Sequence, residues 1–263
     1  MCNEGLKGKI LGEIHKTGFP LELRISQFLR DNEYLVANNL YYVDRDEGKG
    51  REIDLRALKN FRFKKHDIEY FVRHYLFIEC KKSIDKPWVI FSSPVTEYDM
   101  NVFEIDDRGF NDTGKAHRII FDGKVEEIHP FTSCSRRGRS YFEAFRSSEI
   151  GEQIFKALTA SVKALIATRD TRPDDWHHDI CFYYPLIVLE GKLFEAYYEH
   201  SDVCVVEAEI VIVSFFYESL KYQRQTFAVP IVTETALPNF VSKLDLVLNL
   251  WSEELKENLN WFY

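Results

Sequence analysis

The stretch that decides the reading begins Arg51-Glu52-Ile53-Asp54-Leu55-Arg56-Ala57, passes through a basic connector, and ends Leu76-Phe77-Ile78-Glu79-Cys80-Lys81-Lys82. Successive side chains of a β-strand point to opposite faces. The first run therefore predicts a strand with Ile53, Leu55 and Ala57 on one face and Glu52, Asp54 and Arg56 on the other. In the second run Leu76, Ile78 and Cys80 share a face, and Phe77, Glu79 and Lys81 share the opposite one. If the two strands pair, Asp54, Glu79 and Lys81 meet on one surface. Two carboxylates and an ammonium at a strand end suit a divalent cation and the water it activates. The plainer alternative is a row of cross-strand ion pairs. Against it, Glu79 and Lys81 close an otherwise apolar strand, where solvated charge is less expected.

The surroundings supply the element order. Pro20 opens a helix over residues 20–32, with Leu21, Ile25, Phe28 and Leu29 forming one stripe at helical spacing. Glu22 lies at the edge of that stripe, beside the core. By itself it reads as a carboxylate favoured by the helix dipole. Tyr34 to Val43 reads as a strand, and residues 44–50 as a charged turn into the Asp54 strand.

An Asp on one strand, followed by Glu-x-Lys at the end of the next, resembles the PD-(D/E)XK nuclease superfamily, the restriction-endonuclease-like fold. That resemblance implies an α/β chain with an αβββαβ core, its mixed central sheet flanked by helices. The core would span residues 18–83 and 148–190 of a single domain, with an inserted segment at 84–147 and a C-terminal β/α extension at 191–263. It further implies that Asp54 and Glu79 hold Mg²⁺ (Mn²⁺ as a substitute), with the main-chain carbonyl of Cys80 as a further ligand. Lys81 would position or stabilise the nucleophile, and Glu22 on the first helix would complete the site. Ile53 stands where the family often has Pro before the Asp. The implied activity is Mg²⁺-dependent endonucleolytic hydrolysis of DNA. The alternative is a catalytically silent interaction subunit of a larger nucleic-acid-processing or defence assembly.

Elsewhere the signals are weaker. Residues 59–73 mix Lys59, Arg62, Lys64, Lys65 and Arg73 with Phe61, Phe63, Tyr70 and Phe71. Such a mix can hold a phosphate backbone and stack bases, although a solvated connector is the commoner outcome. Trp88–Phe91 and Arg118–Phe121 look like strands within the insertion. Arg136-Arg137-Gly138-Arg139 reads as a basic surface loop. Residues 148–168 form the clearest helix, and Tyr184–Leu189 the fourth core strand. The second Glu-x-Lys, Glu190-Gly191-Lys192, is discounted because Gly191 signals a turn. Trp176-His177-His178-Asp179 places adjacent histidines on opposite faces of an extended chain, unsuited to one metal. Val203–Tyr217 and Thr226–Thr233 read as strands, the latter at an edge because of Pro230. Leu237–Leu259 closes the chain as an amphipathic helix.

Composition bounds the rest. No run among the 263 residues is apolar and long enough to span a membrane, and the amino terminus lacks a signal peptide's basic and apolar regions. Five scattered cysteines, Cys2, Cys80, Cys134, Cys181 and Cys204, form no C-x-x-C and read as reduced thiols. A cytoplasmic protein is expected. Net charge is −8, but residues 1–83 carry 16 basic and 13 acidic side chains (+3) against 18 and 29 (−11) in the remainder. The motif-bearing part is thus the one able to face phosphates, and a homodimer or partner subunit would offset the acidic remainder.

Overall fold

A computed structural model describes residues 4–65, 67–99, 104–106, 129–145, 152–172, 178–222 and 225–258. The chain is mixed α/β, and its described strands form a single nine-stranded sheet. Helix α1 (Glu4–Ile14) and helix α2 (Phe19–Asp31) lead into strands β1 (Leu35–Asp44), β2 (Lys49–Lys65) and β3 (Ile68–Pro94). After β4 (Glu104–Asp106) and β5 (Arg136–Glu143) come helix α3 (Glu152–Asp170) and β6 (Asp179–Glu199). Strands β7 (Asp202–Ala208), β8 (Ile210–Tyr217) and β9 (Gln225–Thr233) follow, then helix α4 (Leu237–Asn258). Expected strand Arg118–Phe121, the start of the expected helix at 148–151, and Trp176–His177 lie outside the described residues.

The centre of the sheet is the parallel pair β3–β6, in register from Phe71↔Asp179 to Phe91↔Ala196 and connected through α3. Parallel neighbours need such a crossover, and their strands are covered on both faces. One face carries Leu55, Leu76, Ile78, Leu186 and Val188 against Leu21, Ile25 and Leu29 of α2 and Phe240, Leu244 and Trp251 of α4. The other carries Phe77, Trp88, Ile187 and Leu189 against Ile154, Leu158, Val162 and Leu165 of α3. Strand β3 pairs β2 over Ile68–Ile78 and β5 over Trp88–Pro94, both on the edge that β6 does not occupy. The pairings β3–β6, β6–β9, β9–β8, β8–β5 and β5–β3 close a five-strand circuit. Its narrowest link is Gly138↔Val213. A Cβ on Gly138 would lie 2.5 Å from Ile90 Cγ2, which is why only glycine lets these strands meet.

Several expectations are corrected. The segment 59–73 is not a connector: residues 55–65 pair with 68–78 as a long hairpin. Lys59 is held by Asp245 (2.8 Å) and Arg73 by Asp179 (2.8 Å), while Phe63 stacks on Tyr70. Trp88–Phe91, expected in an insertion, is the second half of β3, and Arg136–Arg139 is sheet rather than surface loop. Arg137 is buried and donates to the Phe131 carbonyl, Arg139 grips buried Asp99 at 2.6 Å, and Arg136 pairs with Glu195. Gly191 lies within β6, not in a turn. A Cβ there would sit 2.4 Å from the Ser83 carbonyl oxygen, so the glycine permits close approach of β3 and β6. Pro230 does not mark an edge, since β9 pairs with β8 and, from Ile231 onward, with β6. The expected long strand at 203–217 divides at Glu209 into β7 and β8.

Candidate metal and active site

The site is built where β2 leaves β3. The β2–β3 ladder ends at Leu55↔Ile78, and the β1–β2 register passes over Asn39 and Asp54 between Asn38↔Leu55 and Leu40↔Ile53. Asn39 has the left-handed value φ 49, a conformation that interrupts a pleat and that Asn tolerates better than most residues. Side-chain alternation reverses there: Leu55 and Ala57 pack on the α2–α4 face, but Ile53 packs on the α3 face. The expected common face for Ile53, Leu55 and Ala57 therefore does not form. Asp54, at the reversal, is released from both ladders. Its carboxylate instead accepts the Cys80 N–H at 2.8 Å, taking the place of the strand that has departed.

Four of the expected residues come together at this fork. Lys81 Nζ donates to Glu79 Oε2 at 2.5 Å and to Asp54 Oδ2 at 3.4 Å, and lies 3.3 Å from the Cys80 carbonyl oxygen. The Cys80 carbonyl thus faces the site while its side chain packs in the opposite core. Burial and the charge of Asp54 raise the Glu22 carboxyl above its ordinary value, with Lys81 pulling it back. Its Oε1 also lies over the start of α2, 3.7 Å from where a Cβ on Gly18 would be. Glu22 thus stands in the first turn of α2, within electrostatic reach of Asp54 and Lys81.

Glu79 is the most constrained member, with only 7% of its side chain accessible. Burial pushes its carboxyl up to about 7; Lys81 opposes this, and Asp54 and Glu22 add to it. Burial works against the Lys81 charge, yet Glu79 and Asp54 hold it above the ordinary ammonium value. Three carboxyls against one ammonium leave an excess of negative charge that a divalent cation would neutralise. The oxygens of Asp54, Glu79, Glu22 and the Cys80 carbonyl are hard donors of the kind Mg²⁺ takes. As the side chains stand, no group of three or more His, Cys, Asp or Glu among the described residues is arranged to hold an ion. Lys81 Nζ fills the point on which the Asp54, Glu79 and Cys80 oxygens converge. The donor set fits a divalent ion chemically, with the Lys81 ammonium at that point as the side chains stand.

The cluster opens into a cleft of ≈ 1290 Å³ whose lining includes Tyr42, Asp44, Asp54, Glu79, Lys81 and Lys163. From Glu79 to Pro87 the β2-side edge of β3 has no strand partner among the described residues, and this gap is the cleft wall. No family model, no curated protein and no solved structure matches this chain. The second Glu-x-Lys stays outside the site, since Glu190 pairs with Arg24 (3.1 Å) and Lys82 (3.7 Å), and Lys192 with Glu207. His178 contacts the ring of Tyr70.

Two cleft residues escaped the sequence reading. Burial, followed by the charges of Glu79 and Asp44, raises the Tyr42 phenol. Lys163 projects from α3 to Asp44 (2.7 Å) and Asp46 (3.3 Å). The available signal was the polar row Gln153, Lys156, Thr159 and Lys163, spaced at three or four residues opposite the apolar stripe of α3. All four line the cleft.

Proposed function

We propose that this chain is a divalent-metal-dependent phosphodiesterase that cuts DNA, built on a restriction-endonuclease-like core. The observation that carries the reading is the convergence of Asp54, Glu79 and Lys81 at a strand fork opening into a large cleft. The order of α2, β1, β2, β3, α3 and β6 supports it, being the αβββαβ succession that the motif implies, with β4 and β5 interposed. Asp54, Glu79 and the Cys80 carbonyl would hold Mg²⁺ or Mn²⁺, with Glu22 as an additional carboxylate. When bound, the metal polarises the scissile phosphate and lowers the pKa of water. The chain's own groups do the remainder. Lys81 orients the attacking water and stabilises negative charge on the phosphate oxygens, in a site sheltered enough for that charge to count. Glu22, its carboxyl raised by burial and Asp54, would take up a proton.

Plasmid nicking is the test. Purified protein is expected to relax supercoiled DNA with Mg²⁺ or Mn²⁺ present and to leave it intact with EDTA. Cleavage that is indifferent to EDTA, or no cleavage with either ion, overturns the proposal. In the second case the fold would serve as a silent subunit.

A further inference from the structure

The cleft rim carries apolar side chains that packing does not explain. Ile84 on β3, Phe155 on α3 and Leu220 in the β8–β9 loop line the same cleft as the acid cluster. Ile84 is 57% exposed, Phe155 50%, and Leu220 wholly so. Each sits beside a lysine that also lines the cleft: Lys82 with Ile84, Lys156 with Phe155, and Lys221 with Leu220. Three separate elements therefore present the same couple, an apolar group and an ammonium, around an anionic floor. Phe155 is braced from beneath by the Phe215 ring, 6.1 Å away, so its outward face is held in place.

Three exposed apolar groups lining one cleft read as a contact surface where singly scattered ones would not, and the neighbouring lysines select its chemistry. An intact duplex turns phosphates and sugars outward and keeps its base faces stacked. Apolar rim residues facing such a duplex would gain nothing unless they unstacked it, which carries its own free-energy cost. A single strand presents base faces and phosphates side by side, in the alternation these couples match. Lys82 already donates to the His15 carbonyl at 2.8 Å and Lys221 to the Arg45 carbonyl, so Lys156 is the readiest of the three to exchange partners. Lys156 is 68% exposed and pairs with Glu152 one turn earlier on α3, a surface pair that contributes little. A purely apolar rim would suit a protein partner; one in which each apolar group has its own cation suits a polyanion with apolar faces.

We infer that the cleft takes single-stranded or locally unpaired nucleic acid, with Phe155 and Leu220 packing on bases while Lys156 and Lys221 meet the adjoining phosphates. The inference rests on the phosphodiesterase reading of the acid cluster, from which it takes the substrate backbone.

The test measures binding, so that it does not depend on cleavage. A short oligonucleotide carrying 2-aminopurine, alone or annealed to its complement, is titrated with protein in Ca²⁺. The parent is expected to bind the single strand more tightly and to quench its fluorescence by base packing. Phe155→Ala should weaken single-strand binding by about 5- to 150-fold, the range for losing one stacked base contact, and Leu220→Ala by about fourfold or more, the worth of one CH₂ group removed from water. Duplex binding should move less than about twofold, because base faces in a duplex are already stacked. Leu220 touches so little that its replacement leaves the fold intact, which keeps the result interpretable if Phe155→Ala unfolds. Equal parental affinity for single strand and duplex, or single-strand affinity unchanged in Leu220→Ala, overturns the inference. So does a parent that binds neither, which leaves the rim to a protein partner. Tight single-strand binding without cleavage in Mg²⁺ or Mn²⁺ upholds it and removes the hydrolytic reading instead.

Discussion

Lys81→Ala is expected to slow metal-dependent DNA cleavage by at least about a hundredfold, the scale for losing one preorganised group that stabilises transition-state charge. The same variant should show a pH-dependent stability defect in metal-free buffer. Lys81 is the strongest influence opposing the rise of Glu79 from its ordinary 4.5 to about 7. The folded protein keeps a proton on Glu79 that the unfolded chain has released, so stability falls as pH climbs from 4.5 through 7. Without the ammonium, the Glu79 carboxyl rises further and the fall extends to higher pH. The difference in melting temperature between parent and variant should be small at acid pH, where Glu79 is neutral in both. By weakly alkaline pH it should correspond to a loss on the order of 3 kcal/mol, as for a buried pair stripped of one partner. A difference that stays flat across that range contradicts Lys81 as the counter-charge of Glu79.

Asp54→Asn and Asp54→Ala should both lose cleavage, by about a hundredfold or more if Asp54 holds a catalytic metal. Their stabilities should diverge. Asparagine keeps an oxygen for the Cys80 N–H, which Asp54 now accepts at 2.8 Å. It also removes one negative charge from a cluster of three carboxyls, so the metal-free variant should melt at or slightly above the parent. Alanine leaves the Cys80 N–H without its acceptor at a point where β2 has already departed. An unsatisfied backbone donor costs about 1–3 kcal/mol, or roughly 2–4 °C of melting temperature for each kcal/mol in a chain of this size. Two outcomes count against the account: an alanine variant as stable as the asparagine one removes the capping role, and full cleavage by Asp54→Asn removes Asp54 from the metal.

The site was legible because it is local. Strict alternation in Leu76–Lys81 sets Glu79 and Lys81 on one face, and the fork needs only the neighbouring strand to bring in Asp54. The helical stripe of α2 likewise placed Glu22. What the sequence concealed depends on partners far away along the chain. The first core segment is expected to end at residue 83, yet β6 carries β3 on past that point with a register shift between Ser83 and Trp88. Pro87, which has no N–H to give, contributes only its carbonyl, to the Ala144 N–H at 2.8 Å. The cluster Arg136–Arg139 reads as solvated because its partners, Glu195 and Asp99, lie tens of residues away. The alternation of Ile53 and Leu55 failed because of Asn39, whose left-handed backbone has no signature in β2 itself.

Calorimetric titration of Mg²⁺ or Mn²⁺ into metal-free protein tests the central claim most directly. The account predicts saturable binding to the parent, weakened at least tenfold in both Asp54→Asn and Glu79→Gln while each variant remains folded. No saturable binding at millimolar ion, or equal binding by parent and both variants, would mean that the three carboxyls are only a folding motif neutralised by Lys81.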